Sequence, residues 1–154
     1  MQLALNQLLR RARPHRLLIE PTGLGHPFEV LQTLSTNHNR EVLSIEKTLT
    51  LVDARNLQDE RYTSHETFRQ QLSIADVVVA NKVDLYGPDD RSALESYIRE
   101  LCHPNMEMIY TEYGELDLEH LAGPTVIRVE PADAGHTDKS PPLLAQDLPF
   151  PACG

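Results

Sequence analysis

The sequence contains no tryptophan, only 5% aromatic residues and two cysteines among its 154 residues. Two cysteines cannot build a disulfide framework, so we expect a reducing compartment, by default the cytoplasm. The longest apolar run, Ile74–Ala80, is interrupted by Asp76 and is far too short to cross a bilayer. At the N-terminus the basic residues follow the apolar ones, which is the reverse of a secretory signal peptide.

Positive charge is also scarce, because 14 Lys and Arg residues stand against 23 Asp and Glu residues, for a formal net charge of −9. A broad nucleic-acid surface needs clustered cations, so we expect neither a nucleic-acid partner nor a membrane partner. The apolar share of 40% and the length suffice for the core of a single domain.

A glycine-rich phosphate-binding loop is missing. The pattern G-x-x-x-x-G-K-[S/T] does not occur, and the pairs Lys47-Thr48 and Lys139-Ser140 lack the preceding glycines. Without this loop the chain has no N–H cradle for nucleotide phosphates, no lysine on them and no hydroxyl for Mg²⁺. We therefore expect negligible nucleotide hydrolysis by this chain alone.

Helical and strand patterns alternate over residues 1–130. Helix patterns occur in the first dozen residues, after Pro27, from about Ser64 as an N-cap, from Asp89 or Asp90, and around Leu116–Leu121. Strand patterns occupy Arg16–Glu20, Thr48–Val52, Asp76–Ala80, Met106–Thr111 and Thr125–Val129. This alternation predicts a doubly wound α/β fold with about five parallel strands and flanking helices.

The pattern ends at Pro131. Prolines crowd the remaining residues, and few periodic apolar residues accompany them. We therefore predict one domain over residues 1–130, followed by a proline-rich linker or tail over residues 131–154.

The most specific local pattern is Asn81-Lys82-Val83-Asp84, directly after the valine-rich strand. The Asp84 carboxylate can accept two parallel N–H bonds from the guanine edge, a donor pair that adenine lacks. The Asn81 amide can contact the base and hold the neighbouring loop, and the stem of Lys82 can lie over the base plane. The other interpretation is a strand-end turn of solvated polar residues, although α/β folds bind ligands at this position.

A second candidate pattern, Glu20-Pro21-Thr22-Gly23, follows the first predicted strand. The Glu20 carboxylate can hold Mg²⁺ through water, and Gly23 allows a backbone N–H to approach a terminal phosphate. A strand cap with a tight turn explains the same residues equally well.

Together these stretches resemble the CobW family of metal-chaperone GTPases, within the SIMIBI class of P-loop NTPases. The matching stretches are Leu18–Leu24, Leu51–Ala54, Gln71 with Ala75-Asp76, Asn81–Leu85 and Tyr113-Gly114. The resemblance covers Leu3–Leu121 and implies a partial P-loop NTPase domain. It also implies a GTPase that couples its nucleotide state to metal delivery, with zinc the commonest metal and cobalt an alternative.

Carried over residue by residue, the resemblance gives Glu20 the role of the Mg²⁺-linked acidic residue and Gly23 that of the glycine near the γ-phosphate. Asp53 lies in the family's V-D-A motif, where structural anchoring and catalysis both remain open.

The same resemblance assigns Asn81, Lys82 and Asp84 to the guanine-reading motif. Thr111 occupies the place of the loop behind the base. The expected ligands are GTP or GDP with Mg²⁺, and Zn²⁺ as the metal.

The family's C-x-C-C metal motif is absent as well. In the family, this motif and the P-loop precede the helix that Leu3–Ala12 represents here. We therefore interpret the chain as a fragment of such a GTPase, with an unidentified client protein. Loss of the P-loop strand should expose apolar surface or an unpaired strand edge and favour self-association.

Two alternatives remain open. The chain could be a non-catalytic interaction or scaffold module that keeps the α/β fold, or a different doubly wound protein such as a flavodoxin-like one. Most of the seven histidines are scattered without metal-ligand spacing, and His26 with Glu20 is the one pair worth testing.

Overall fold

The sheet has three parallel strands in sequence order. The computed structural model describes residues 2–22, 26–101 and 105–130. Strand β1 is Leu49–Val52, β2 is Val77–Ala80 and β3 is Glu107–Tyr110, and β2 lies between the other two. All four residues of β2 are buried, as expected for a central parallel strand rich in valine.

Helices connect and flank these strands. They are α1 (Gln2–Ala12), α2 (Pro27–Leu34), α3 (Asn37–Arg40), α4 (Glu60–Thr63), α5 (Glu66–Ser73) and α6 (Asp90–Leu101). Short 3₁₀ turns cover Ala54–Gln58, Val83–Leu85 and Leu118–Leu121. Within the described ranges, no helix is long and apolar enough to span a membrane.

The main core lies where α5 and α6 pack against the sheet. Its buried residues are Val52, Ala54, Phe68, Leu72, Ala75, Val78, Ala80, Leu94 and Ile98. A smaller apolar cluster joins Leu31 of α2 to Ile74 and Val129. The parallel sheet with its flanking helices confirms the predicted α/β class.

A buried carboxylate organises the amino-terminal end of the strands. One oxygen of Asp76 accepts the Thr48 N–H at 2.8 Å and the other accepts the Val126 N–H at 2.8 Å. Asp76 is 5% exposed. Its side chain therefore ties the entry to β1 and the segment after Pro124 to the start of β2.

Two of the five predicted strands are wrong. Arg16–Glu20 is extended but forms no ladder with any described residue, and Leu18 is 76% exposed. An apolar run becomes a strand only when a partner supplies hydrogen bonds, and none of the described segments pairs with Arg16–Glu20. Thr125–Val129 likewise forms no ladder, because the Asp76 contact and an isolated bridge between Glu46 and Pro124 hold this segment instead.

The predicted serine cap of α5 is also wrong. Ser64 ends α4, where its N–H donates to the carbonyl oxygen of Glu60 at 2.9 Å. Helix α5 then begins at Glu66, with His65 in the N-cap position. A sequence pattern could not separate two short helices joined without a loop.

Candidate functional site at the carboxyl ends of the strands

The parallel register brings three loops to one edge of the sheet. Asp53 follows β1, Asn81 follows β2 and Thr111 follows β3. The Asn81 N–H donates to the Val52 carbonyl oxygen at 2.9 Å, and the Thr111 N–H donates to the Ala80 carbonyl oxygen at 2.9 Å. The ladder thus continues into the loops and fixes where their first side chains lie.

Asn81 links the second and third of these loops. Its side-chain oxygen accepts the Lys82 N–H at 2.8 Å and the Gly114 N–H at 3.2 Å. Gly114 has φ +72°, a left-handed conformation that glycine adopts without a steric penalty. Asn81 therefore acts as a brace between loops.

Thr111 reinforces the same junction. Its hydroxyl donates to the carbonyl oxygen of Glu115 within its own loop. Its carbonyl oxygen accepts the Val83 N–H at 3.3 Å. Since Thr111 is buried, it supports the loop of Asn81 from behind.

Lys82 adopts a left-handed backbone conformation with φ 63° and ψ 38°. This conformation is uncommon for a residue with a Cβ atom and costs about 1 kcal/mol. Its ammonium nitrogen lies 3.2 Å from an Asp53 carboxylate oxygen. A strained residue that forms an ion pair across two loops marks this edge as a candidate functional site.

Asp84 lies in the 3₁₀ turn Val83–Leu85 with its side chain exposed. Within the described residues its carboxylate accepts no hydrogen bond and forms no ion pair. The neighbouring side chains of Asn81 and Lys82 already have partners, whereas both carboxylate oxygens of Asp84 are available to a ligand.

Asp53 carries the strongest electrostatic interactions of the site. Arg55 donates to it from Nε at 2.9 Å and from Nη2 at 2.6 Å. The Arg55 hydrogen bonds, helped by Lys82, lower the pKa of Asp53 to about 2 despite the opposing effect of burial. Asp53 also caps the following 3₁₀ turn by accepting the Arg55 N–H, so anchoring explains its contacts.

Comparison with known proteins identifies the family of this chain. The family model described as "CobW/HypB/UreG, nucleotide-binding domain" matches residues 1–109. The chain belongs to this family. The match confirms the predicted resemblance and includes Asn81, Lys82 and Asp84, whereas Thr111 lies just beyond it.

A relative supports the same assignment. Over 138 residues the chain is 41% identical to the zinc chaperone YeiR of Escherichia coli (strain K12). The aligned region covers 89% of this chain and 42% of that protein, so the chain spans less than half of the relative's length. The comparison with solved structures gave no match.

One further predicted site residue, Glu20, lies in the part of the chain that the structure describes. Glu20 is exposed and forms no hydrogen bond or ion pair with a described residue. Gly23 lies outside the described residues. Among the residues with described positions, no three His, Cys, Asp or Glu side chains group so as to hold a metal ion.

Sequence reasoning missed two contributors to this edge. Arg55 holds Asp53, and the Tyr86 hydroxyl oxygen accepts the Ala54 N–H at 3.2 Å. The Asp-x-Arg spacing of residues 53–55 recurs at Asp59 and Arg61, which also pair. That repeated spacing was the available signal for a local ion pair.

Proposed function

We propose that this chain forms the guanine-reading part of a GTP-binding domain in a protein that couples GTP hydrolysis to metal delivery. The observation that carries the proposal is the open carboxylate of Asp84, held next to Asn81 and Lys82 at the ligand-binding edge of a parallel sheet. Membership of a nucleotide-binding domain family supports it.

The donor pattern of guanine explains the selectivity. Its N1–H and 2-amino group point in parallel at one edge of the ring, and both oxygens of Asp84 can accept them. Adenine offers no such pair and would leave the carboxylate desolvated without a partner. Sites built on such bonds reject the wrong ligand by up to about 10⁴-fold.

The neighbours of Asp84 take supporting roles. Asn81 and Thr111 would hold the loops behind the base, and the hydrogen bonds that join these loops support this role. The aliphatic stem of Lys82 can cover the base plane while its ammonium group remains with Asp53.

We extend the proposal to the phosphate end through Glu20 and Gly23. Glu20 would hold Mg²⁺ through water, and the Gly23 N–H would face the terminal phosphate. Mg²⁺ would supply charge neutralisation on the phosphates. The exposed and uncommitted Glu20 carboxylate is compatible with this role.

The delivered metal is proposed to be zinc, following the zinc chaperone to which the chain is similar. We place the protein in the cytoplasm, with residues 1–130 as the partial GTP-binding domain and residues 131–154 as a linker or tail. Without a P-loop, the chain alone should not hydrolyse GTP at a measurable rate.

NMR titration of the full chain with GDP and with ADP tests the base-reading function, because NMR detects even weak, millimolar binding of a nucleotide. We expect GDP to bind and ADP to fail at matched concentrations. Asp84→Ala should weaken GDP binding by more than about tenfold. Asp89→Ala, which removes an equal charge from a nearby exposed position, should leave GDP binding unchanged.

Equal binding of GDP and ADP, or full GDP binding by Asp84→Ala, would contradict the proposal. Failure of GDP to bind at all would favour the scaffold module instead.

A further inference from the structure

Several carboxylates surround Arg55 at the candidate site. Asp53 takes the Arg55 guanidinium in a two-pronged contact, at 2.9 and 2.6 Å. The pKa of Arg55 is raised, first by its hydrogen bond to Asp53 and further by the negative charges of Asp53, Asp84 and Asp90. The Lys82 ammonium also lies 3.2 Å from Asp53, and Asp84 follows Lys82 by two residues, so the loop of Asp84 adjoins that of Arg55. Asp84 nevertheless accepts no hydrogen bond from Arg55.

A guanidinium group and the guanine edge present the same chemistry to a carboxylate. Each offers two parallel N–H donors that match both carboxylate oxygens. If Arg55 turned toward Asp84, it would occupy the two oxygens that the base needs. Guanine would then have to displace a bidentate ion pair.

In the structure Arg55 is bound to Asp53 and not to Asp84, and the Asp53 side chain is well buried. The Asp53 side chain is only 13% exposed, compared with 38% for Arg55. Ala54, between them, is fully buried, and its N–H donates to the Tyr86 hydroxyl at 3.2 Å. Asp53 also draws the Lys82 ammonium to 3.2 Å.

We propose that Asp53 is a positioning residue for guanine recognition, which sequesters Arg55 and Lys82 and so keeps the Asp84 carboxylate open to the base. This inference rests on the proposed guanine-reading function. It assigns Asp53 no contact with the nucleotide, so its effect passes through the two cations.

GDP titration of four variants of this chain tests the inference. Asp53→Asn should weaken GDP binding by about tenfold, a coupling typical of neighbouring charged groups. Adding Arg55→Gln to Asp53→Asn should restore most of the lost GDP affinity, because the guanidinium group that competes with guanine for Asp84 is removed. Arg55→Gln alone supplies the reference value for the double variant. Asp59→Asn, which breaks the analogous surface pair with Arg61, should bind GDP like the unmodified chain.

A purely structural role of Asp53 would give a different pattern. Arg55→Gln would then not rescue Asp53→Asn, and this result would overturn the inference, as would undiminished GDP binding by Asp53→Asn.

A second measurement separates this inference from the proposed function. The NMR signal of the Arg55 Nε–H should shift in Asp53→Asn, and it should shift again when Asp84→Asn is added. If the unmodified chain binds no GDP, the proposed function fails, but this signal still reports whether Asp84 captures Arg55. If adding Asp84→Asn to Asp53→Asn left the Arg55 Nε–H signal unchanged, the positioning role of Asp53 would be overturned.

Discussion

The side-chain oxygen of Asn81 accepts a hydrogen bond from the backbone N–H of Gly114 at 3.2 Å, across 33 residues of sequence. The same oxygen accepts the Lys82 N–H at 2.8 Å. One acceptor thus orders the left-handed turn at Lys82 and attaches it to the loop after β3. The proposed base recognition by Asp84 would depend on this junction, since Asp84 lies two residues beyond Lys82.

Replacing the Asn81 acceptor should loosen the junction. In Asn81→Ala we expect the Gly114 amide to exchange with solvent about tenfold faster, which corresponds to about 1.4 kcal/mol for the lost hydrogen bonds. Asn81→Asp keeps an oxygen acceptor and should retain the protection. Hydrogen exchange followed by NMR measures both, and equal exchange rates in the unmodified chain and Asn81→Ala would contradict the bracing role.

The depressed pKa of Asp53 predicts a pH-dependent contribution to stability. Its folded pKa of about 2 lies below the ordinary value of 3.8. The stabilisation is therefore complete above about pH 5 and is lost as the pH falls through 3.8 toward 2. Asp53→Asn should lower the free energy of unfolding by about 1–2 kcal/mol at pH 7, after allowance for solvent screening.

Urea unfolding of the unmodified chain and Asp53→Asn between pH 7 and pH 3 measures this difference. The difference in unfolding free energy between the two chains should become smaller as the pH falls toward 3. Asp59→Asn is the matched control, because the same Asp-x-Arg pairing occurs there on an exposed surface and should contribute less. A difference that is independent of pH would count against the Asp53 ion pairs.

Asp76 should matter for stability and not for base recognition. Asp76→Ala removes the acceptor of two backbone N–H groups, those of Thr48 and Val126, and should cost about 2–4 kcal/mol. Asp76→Asn keeps one acceptor and should cost less. GDP affinity per folded molecule should be unchanged, because Asp76 lies at the opposite end of the strands. A cost of Asp76→Ala below about 0.5 kcal/mol would contradict this role.

The free edge of β1 predicts self-association. No described segment pairs with this edge, and Leu51 within β1 is 63% exposed. Leu51→Lys should shift sedimentation toward the monomer at high protein concentration. Val42→Lys, at an equally exposed position outside the sheet, should not. A monomeric unmodified chain at every concentration would be inconsistent with the prediction.

The sequence predicted the elements that carry their own local signal. Three consecutive valines specify the buried central strand, and the residues after it, Asn81–Asp84, lie where the pattern predicts. The helix after Pro27 and the one from Asp90 also follow from apolar spacing and their first residues.

The errors arise where structure depends on partners distant in sequence. Arg16–Glu20 has strand composition, but a strand needs a neighbour, and composition cannot supply one. The contacts of Asp53 with Lys82 and of Asn81 with Gly114 depend on sheet register, which no local pattern encodes. The nucleotide roles of Glu20 and Asp84 remain predictions, because they likewise depend on partners that no local pattern encodes.

A change of ligand specificity offers a direct test of the carboxylate at position 84. Asp84→Asn replaces one acceptor with an N–H donor, which suits xanthine, whose ring carries a 2-carbonyl oxygen in place of the 2-amino group. NMR titration of Asp84→Asn with XDP and GDP should show a reversed preference, with XDP bound better than GDP, whereas the unmodified chain should prefer GDP. A chain whose preference between the two nucleotides is unaltered by Asp84→Asn would show that Asp84 does not read the base.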